Sequence, residues 1–518
     1  MMKPVRSVVI VGGGSAGWIT AAVIAAHHQA NLPGSIAVTL IESPSVPTIG
    51  VGEGTWPTMR STLRKVGISE TDFLRECDAS FKQGAKFARW TTGADDDFYY
   101  HPLMLPQGFP DIDLSPYWHK FVAETAGDTS FSDAVCFQEA ICEHNLAPKM
   151  ITTAEYGHVA NYAYHLDTGK FGPFLMRHAT GKLGVRHVLD DVVGVETAEN
   201  GDIARLLTKT GAPLEGDLFI DCTGFSSMLL GKHYGVPFID RGDVLFIDTA
   251  LAVHVPYRDE QEPIVPYTIS TGQKAGWIWD IGLTSRRGLG YVYSSRHSSE
   301  EDAVRELHAY IGPGAEKLSH RKIPIRSGHR QVFWRNNCVA VGLSAGFLEP
   351  LEASALVLIE LSADMIAKQL PATRDVMDIV GRRFNDVFRY RWDRIIDFLK
   401  LHYMLTKRED TAFWRDNRDP DTIPDSLAEQ LDLWRYQPPG DYDFMSNNEV
   451  FPAASYQYVL YGMGFRSDFS SRPHMLGAED DARRHFAKNA SMKQKLVASL
   501  PSNRALLAKI RDYGLQPV

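Results

Sequence analysis

Three glycines near the N-terminus have the spacing of a phosphate-binding turn. Residues 8–18 read VVIVGGGSAGW, so Gly12, Gly14 and Gly17 match the pattern G-x-G-x-x-G. In such a turn the glycines permit a sharp bend, close approach of the backbone to a pyrophosphate, and tight packing of a helix on a strand. The phosphates then lie at the N-terminus of that helix. A chance glycine-rich turn is the alternative.

The flanking segments favour dinucleotide binding over a chance turn. A β-branched run precedes the glycines, an Ala-rich helical stretch follows them, and a second apolar strand over 36–41 ends in Glu42, where an acidic residue binds ribose hydroxyls. A Gly/Pro-rich loop over 47–57 precedes a helix predicted to begin near Thr58, and another apolar strand over 337–341 ends at a glycine. The predicted cofactor contacts are Gly12, Gly14, Ser15, Ala16, Gly17, Glu42, Gly50 and Gly342.

Lys82 lies among aromatic residues in the segment SFKQGAKFARW over 80–90. The alternation of apolar and polar residues predicts a strand that carries Lys82 inward or beside a cleft. A lysine beside aromatics is usually a surface residue that extends its ammonium into water, so these residues alone favour a structural interpretation.

Glu352 lies in the segment FLEPLEASA over 347–355. Pro350 favours a helix start soon after it, which would place Glu352 and the amides of Ser354 and Ala355 in a first turn able to hold an anion. Taken alone, Glu352 in that position would offset the helix dipole.

Two tryptophans, Trp277 and Trp279, occur in the segment GWIWDI over 276–281. Alternate residues of a strand share a face, so the two indoles are predicted to lie on the same side of the sheet. Core packing is the simpler interpretation of such a pair, and a wall between two chemical sites is the alternative.

Composition excludes several classes of protein. With 44% hydrophobic and 23% charged residues among 518, the chain is a mixed globular protein. A net charge of −9 without a basic run argues against nucleic-acid and membrane partners. The five scattered cysteines form no C-x-x-C pair, which predicts reduced core thiols and no metal site. These features predict a soluble, cytoplasmic protein.

The order of segments predicts an α/β dinucleotide-binding fold with an inserted β-sheet and a mostly helical C-terminal region. Residues 188–195 and 203–207 alternate in polarity and predict a small antiparallel insertion. We expect a cofactor-binding core over 1–375 and a mainly helical substrate-capping region over 376–518.

Together these segments resemble the flavin-dependent halogenases, the group that includes the tryptophan halogenases. The resemblance rests on the N-terminal glycines, the Phe81-Lys82 segment, the match of 276–281 to the family's G-W-x-W-x-I-P, and Pro350-Leu351-Glu352. It implies a flavin monooxygenase-like fold that binds FAD, receives it reduced from a separate flavin reductase, and uses oxygen to convert halide to hypohalous acid.

The resemblance also implies a role for each candidate residue. Lys82 would receive the hypohalous acid and present the halogen to an aromatic ring, and Glu352 would orient the oxidant or accept the ring proton. Trp277 and Trp279 would separate flavin from substrate. The backbone amides of Ser354 and Ala355 would bind the halide.

Three departures from the family pattern bear on the substrate. The proline of the tryptophan motif is Gly282 here, and the residues around the acidic segment are Ala353 and Ala355 instead of serine and glycine. The pattern is similar to indole-accepting, bromide-preferring members, so a small electron-rich aromatic such as indole is expected in preference to free tryptophan. A monomer or a homodimer is expected.

Two alternatives remain at this point. An aromatic hydroxylase of the same flavin fold would transfer oxygen and needs no lysine relay. A non-catalytic flavin-binding protein would have no use for Lys82 and Glu352 together.

Overall fold

The computed structural model describes residues 4–46, 52–125, 129–446 and 449–518. These residues form strands that we number in chain order: β1 Ser7–Val11, β2 Ala37–Glu42, β3 Gly52–Gly54, β4 Ser80–Lys82, β5 Gly84–Ala88, β6 Phe98–Pro102, β7 Ala163–Asp167, β8 Arg186–Leu189, β9 Val192–Thr197, β10 Ile203–Thr208, β11 Leu214–Glu215, β12 Leu218–Asp221, β13 Phe238–Asp240, β14 Thr249–Pro256, β15 Thr268–Gly272, β16 Gly276–Gly282, β17 Arg286–Tyr293, β18 His320–Pro324, β19 Gly328–Arg330, β20 Trp334–Arg335, β21 Cys338–Ala340 and β22 Gly346–Phe347.

The α-helices are numbered in the same way. They are α1 Ser15–His27, α2 Thr58–Lys65, α3 Glu70–Glu76, α4 Ser115–Thr125, α5 Phe131–Val135, α6 Gln138–Glu143, α7 Thr168–Lys182, α8 Glu300–Ile311, α9 Ser354–Lys368, α10 Arg374–Met404, α11 Ala412–Asp416, α12 Asp425–Trp434, α13 Ala453–Gly462, α14 Glu479–Ser499 and α15 Asn503–Tyr513. Helix α2 begins at the predicted position, and helices dominate the chain after residue 374, as expected.

Internal contacts divide the chain into two units, each made of three segments. The first unit is Met1–Ala79, Leu166–Arg241 and Arg326–Asp393, and the second is Ser80–His165, Gly242–Ile325 and Arg394–Val518. The boundary proposed near residue 375 stays a prediction, because contact density does not establish which segments fold alone.

The first unit is built on a six-stranded sheet in the order β20-β21-β12-β1-β2-β8. Strands β8, β2, β1, β12 and β21 are parallel, and β20 runs antiparallel at the edge. The three central strands β1, β12 and β21 are almost wholly buried, which explains their unbroken apolar sequences. The carboxyl ends of these strands therefore meet at one edge, where α/β proteins bind cofactors.

Helix α1 is the central helix of this unit. Its residues Gly17 to Ala25 are all buried, and it packs against α7 and α9. Small residues at this position let neighbouring backbones approach, which is why the Ala-rich sequence suits it.

The predicted antiparallel insertion is wrong at its first strand. Residues 188 and 189 belong to β8, which pairs in parallel with β2 in the main sheet, with Ile41 opposite Val188. The antiparallel sheet comprises β9, β10 and β11 only. Alternating polarity could not separate the two, because an edge strand of a parallel sheet is also half exposed.

The second unit is built on a seven-stranded sheet in the order β18-β14-β17-β16-β15-β5-β6. Its pairings are antiparallel except for β15 with β5. Helix α8 packs on β17 over a core that includes Leu251, Ile278, Tyr291 and Leu307. This sheet holds the two tryptophans on β16.

The single strand predicted over residues 80–90 is two strands in different sheets. Strand β4 pairs with β7, whereas β5 joins the seven-stranded sheet. The chain changes sheets at Gln83, whose N–H donates to the carbonyl of Pro266 at 2.6 Å. A Cβ on Gly84 would lie 2.8 Å from the His101 carbonyl oxygen, so the crossing needs a glycine.

Candidate active site

The glycine-rich turn after β1 leaves no room for side chains at two of its positions. Gly12 has φ +114°, and a Cβ there would lie 2.2 Å from the Cys222 carbonyl oxygen. A Cβ on Gly17 would lie 1.9 Å from the Gly12 carbonyl oxygen. These two glycines therefore fix the turn against β12 and close α1 onto β1.

Gly14 is different, because a Cβ there would meet no atom of the described residues within 4 Å. It precedes α1, and no side chain caps the first turn of that helix. The amides of Ser15, Ala16 and Gly17 thus begin a helix beside open space, which is the arrangement that binds a pyrophosphate. The turn fits the pyrophosphate of FAD.

Glu42 ends β2 next to the turn. A Cβ on Gly13 would lie 1.5 Å from Glu42 Oε2, so the carboxylate covers the second glycine of the run. Glu42 Oε1 lies 2.7 Å from Nε2 of His187, on β8. The carboxylate therefore lies at the carboxyl end of the sheet, where the fingerprint places a ribose ligand.

Gly342 is brought to the same place by β21. It has φ +73°, and a Cβ on it would lie 2.7 Å from Cβ of Ala16. The structure therefore gathers seven of the predicted cofactor residues at one end of the parallel sheet. The eighth, Gly50, lies outside the described residues.

Glu352 lies immediately before α9, not inside its first turn as predicted. The helix begins at Ser354, and its N-cap Ala353 has the left-handed conformation, with φ +53°. Glu352 is 3% exposed, and its backbone carbonyl accepts a hydrogen bond from Trp56 Nε1 at 2.8 Å. Glu352 therefore lies in a tight turn that precedes the helix, and its role stays a prediction.

Ser354 and Ala355 are the first two residues of α9, as predicted. The helix has 15 residues, no acidic residue in its first turn and no side-chain cap. Its first amides are donors that can hold an anion.

Lys82 is 3% exposed at the end of β4, so its burial agrees with the first of the two predicted placements, inward or beside a cleft. Strand β4 runs antiparallel to β7, with Lys82 opposite Ala163 and Ser80 opposite His165. Lysine is rarely buried to this extent, since burial disfavours an unpaired ammonium.

The polar residues around Lys82 come from the same strands. The Ser80 hydroxyl donates to the carbonyl of Gly282, the residue that replaces the proline of the tryptophan motif. Burial, followed by the charge of Lys82, holds the pKa of His165 well below its usual value. His165 is a residue that sequence reasoning missed, because no motif contains it.

Trp277 and Trp279 lie two residues apart on β16, as predicted. Trp277 is fully buried, and its ring centroid lies 6.4 Å from that of Trp90. Trp279 covers Gly290 on β17, where a Cβ would lie 1.9 Å from the indole. Gly290 was also missed, because the need for a glycine there comes from Trp279 on the neighbouring strand β16.

Within the described ranges, no group of three or more His, Cys, Asp or Glu side chains could hold a metal ion. None of the helices in those ranges is long and apolar enough to cross a bilayer. All five cysteines are buried free thiols, as predicted.

The sequence was compared with models of known protein families once this geometry was established. The model of the tryptophan halogenase family matches residues 7–477. The chain belongs to the tryptophan halogenase family. This tryptophan halogenase homologue is therefore a flavin-dependent halogenase, an oxidoreductase that uses FAD and a halide.

Known halogenases match the chain over nearly its full length. The tryptophan 6-halogenase ThaL of Streptomyces albogriseolus is 33% identical, covering 98% of this chain and 99% of its own. A crystal structure of a tryptophan halogenase from Shewanella frigidimarina NCIMB 400 shows 48% identity and a TM-score of 0.96, covering 100% and 99%. BrvH, a flavin-dependent halogenase from Brevundimonas sp. BAL3, shows 33% identity and a TM-score of 0.85, covering 98% and 99%. These matches favour halogenation over the hydroxylase and non-catalytic alternatives.

Proposed function

We propose that this halogenase places a halogen on a carbon of a small electron-rich aromatic, with Lys82 as the residue that hands over the halogen. The burial of Lys82 at the end of a three-residue strand is the observation that carries this proposal. A buried amine on a short paired strand has a defined position. Its nitrogen is also shielded from water, so its lone pair stays available to react with the halogen.

FAD would be held by the turn over 12–17, with Glu42 at the ribose and Gly342 beside the helix N-terminus. When bound in its reduced form, FAD supplies the two electrons with which oxygen and a proton convert halide to hypohalous acid and water. The open space at Gly14 and the uncapped first turn of α1 support this assignment.

Lys82 can transfer the halogen by two routes. In the covalent route the neutral amine attacks the halogen, the N–halogen bond forms as the halogen–oxygen bond breaks, and water leaves. The ring then takes the halogen as the N–halogen bond breaks, and a proton returns to the amine. In the other route the ammonium donates a hydrogen bond to hypohalous acid, polarises it, and protonates the departing hydroxide.

Glu352 would accept the ring proton that the halogen replaces. A carboxylate held by a turn, with its backbone carbonyl fixed by Trp56, is suited to a proton transfer at a defined position. The amides of Ser354 and Ala355 would bind the halide, and Trp277 with Trp279 would keep flavin chemistry away from the aromatic substrate.

Indole, or a comparable unsubstituted aromatic, is the substrate class that we propose, with bromide preferred over chloride. The support is the set of departures at Gly282, Ala353 and Ala355. A separate flavin reductase would supply reduced FAD, because the sequence contains one dinucleotide fingerprint, at 12–17.

Mass spectrometry of an aromatic library tests this proposal. The enzyme is incubated with a flavin reductase, FAD, oxygen, and equal chloride and bromide. Brominated indole as the main product is expected, with indole consumed faster than tryptophan. Products that carry added oxygen would support a hydroxylase and contradict the proposal, and preferential chlorination of tryptophan would contradict its substrate and halide parts.

A further inference from the structure

His165 is the fully buried polar residue of β7 nearest to Lys82 along the strand pair. It lies opposite Ser80, and its neighbour two positions away, Ala163, lies opposite Lys82. Alternate residues share a face, so the side chains of Ser80, Lys82, Ala163 and His165 are on one face of this pair. Ala163 is a small residue opposite Lys82, and Lys82 and His165 are diagonal neighbours, which are within reach of a long side chain.

Among the described residues, one nitrogen of the His165 ring has a hydrogen-bond partner and the other has none. Nε2 lies 3.0 Å from Oγ1 of Thr268, on β15. Nδ1 is buried and makes no hydrogen bond to any residue that the structure describes. A buried polar atom without a partner calls for an explanation, and the flexible four-carbon stem of Lys82 ends close by.

The charge state of His165 suits a partner for an amine. Burial first, and then the Lys82 ammonium, lower the pKa of His165 well below its usual value, so the imidazole is neutral at physiological pH. A neutral imidazole carries one N–H and one lone pair. When Nε2–H donates to Thr268, Nδ1 is left as an acceptor on the strand-pair face that also carries Lys82.

We propose that His165 is a positioning residue for Lys82, whose Nζ hydrogen-bonds to Nδ1 when the lysine side chain turns toward it. This hydrogen bond would restrict the orientation of the Lys82 side chain and therefore the direction in which Nζ presents the halogen. The Thr268 hydroxyl can accept or donate a hydrogen bond, so it is compatible with either tautomer of the imidazole. Nδ1 can then accept a hydrogen bond from an ammonium or, in the other tautomer, donate one to a neutral amine. The inference rests on the proposed role of Lys82.

Two isosteric substitutions test it, because each keeps one half of the imidazole. His165→Asn keeps a polar atom near the place of Nδ1 and loses the contact with Thr268. His165→Gln reaches the place of Nε2, keeps the contact with Thr268, and has no acceptor at Nδ1. The readouts are oxygen uptake, halogenated product per oxygen consumed, and the kcat and KM for indole, measured on the full chain with FAD and reductase.

We expect His165→Gln to lower product per oxygen about tenfold through kcat, with oxygen uptake and the KM for indole unchanged. His165→Asn should stay within about threefold of the wild type. A structural role for His165 gives the opposite order, because Gln keeps the hydrogen bond that the imidazole makes to Thr268 among the described residues. That order, or equal values for the two variants, would overturn the inference. Lys82→Ala run in parallel separates the two proposals, since substantial product from Lys82→Ala overturns the role of Lys82 itself.

Discussion

The glycine turn of the first unit and the β4–β7 strand pair of the second unit hold their functional groups by different means. In the turn, the backbone itself is the proposed ligand-binding group, and a Cβ on Gly12 or Gly17 would lie closer than 2.5 Å to a carbonyl oxygen. In the strand pair, the proposed functional groups are buried side chains, and the register that sets Lys82 opposite Ala163 places them.

This difference predicts different responses to mutation. A site made of backbone amides is disturbed mainly by added atoms, and the disturbance reaches both folding and cofactor binding. A site made of side chains can lose one chemical step while the fold and the other steps remain. Substitutions in each region can therefore sharpen or contradict the comparison.

The largest effect in this series is expected at Glu352, whose backbone carbonyl is hydrogen-bonded by Trp56 and whose carboxylate we propose as the acceptor of the ring proton. Glu352→Gln keeps the shape and removes proton acceptance, so product formation should fall by about 10²–10⁴-fold. Hypohalous acid should still form, and an added chemical scavenger would trap it. Unimpaired halogenation by this variant would remove Glu352 from the chemistry.

Gly14 and Gly17 form a matched pair within the turn. Gly14→Val adds atoms to open space and should weaken FAD binding by at least about tenfold, whereas the protein without FAD should lose at most about 1 kcal/mol of unfolding free energy, the cost of valine at a helix N-cap. Gly17→Val collides with the Gly12 carbonyl and should also destabilise that protein by about 1–3 kcal/mol. Flavin fluorescence titration and urea unfolding measure the two quantities. Equal stability losses for both variants would contradict the assignment of open space to Gly14.

The smallest effect is expected at Glu360, where the prediction concerns only the free energy of unfolding. It lies on α9, accepts from Thr58 Oγ1 at 3.2 Å and from Thr62, and burial raises its pKa to about 8. The folded protein therefore binds this proton more tightly than the unfolded chain. Its contribution to stability is complete below pH 4.5, declines as the pH rises, and is lost above about pH 8.

Glu360→Gln should remove that decline. The unfolding free energy of the variant minus that of the wild type should increase by roughly 1–4 kcal/mol when the pH is raised from 6 to 8.5. Urea unfolding at the two pH values measures the gain. Exposed Glu429 on α12 provides the control, since Glu429→Gln should follow the wild type at both. Parallel behaviour of Glu360→Gln and wild type would contradict the assignment.

The cofactor turn could be predicted from the sequence, because its glycines, helix and following strand are close along the chain. Its geometry agrees with the fingerprint even at Gly342, which β21 brings to Ala16 from 326 residues away. The order of the parallel strands in this fold brings the two residues together. The glycine that follows an apolar strand was therefore sufficient to predict the position of Gly342.

The surroundings of Lys82 and Glu352 could not be predicted in the same way. His165 lies on the same face of the strand pair as Lys82 only because segments 83 residues apart pair antiparallel, and no local pattern records that register. The start of α9 was misplaced because Ala353 adopts a left-handed conformation that alanine rarely takes, and Pro350 alone suggested an earlier start.

The central claim, that a lysine of the second unit transfers the halogen, is tested most directly at Lys82. Lys82→Ala and Lys82→Arg should both bind FAD and consume oxygen, because the glycine turn is untouched. Both should give essentially no halogenated product by the covalent route. Lys82→Arg stays protonated, so product from it alone would indicate the hydrogen-bonded route. The measurement is halogenated indole by mass spectrometry alongside oxygen uptake. Oxygen uptake without product from Lys82→Ala is the result that we predict, and substantial product from Lys82→Ala would contradict the account.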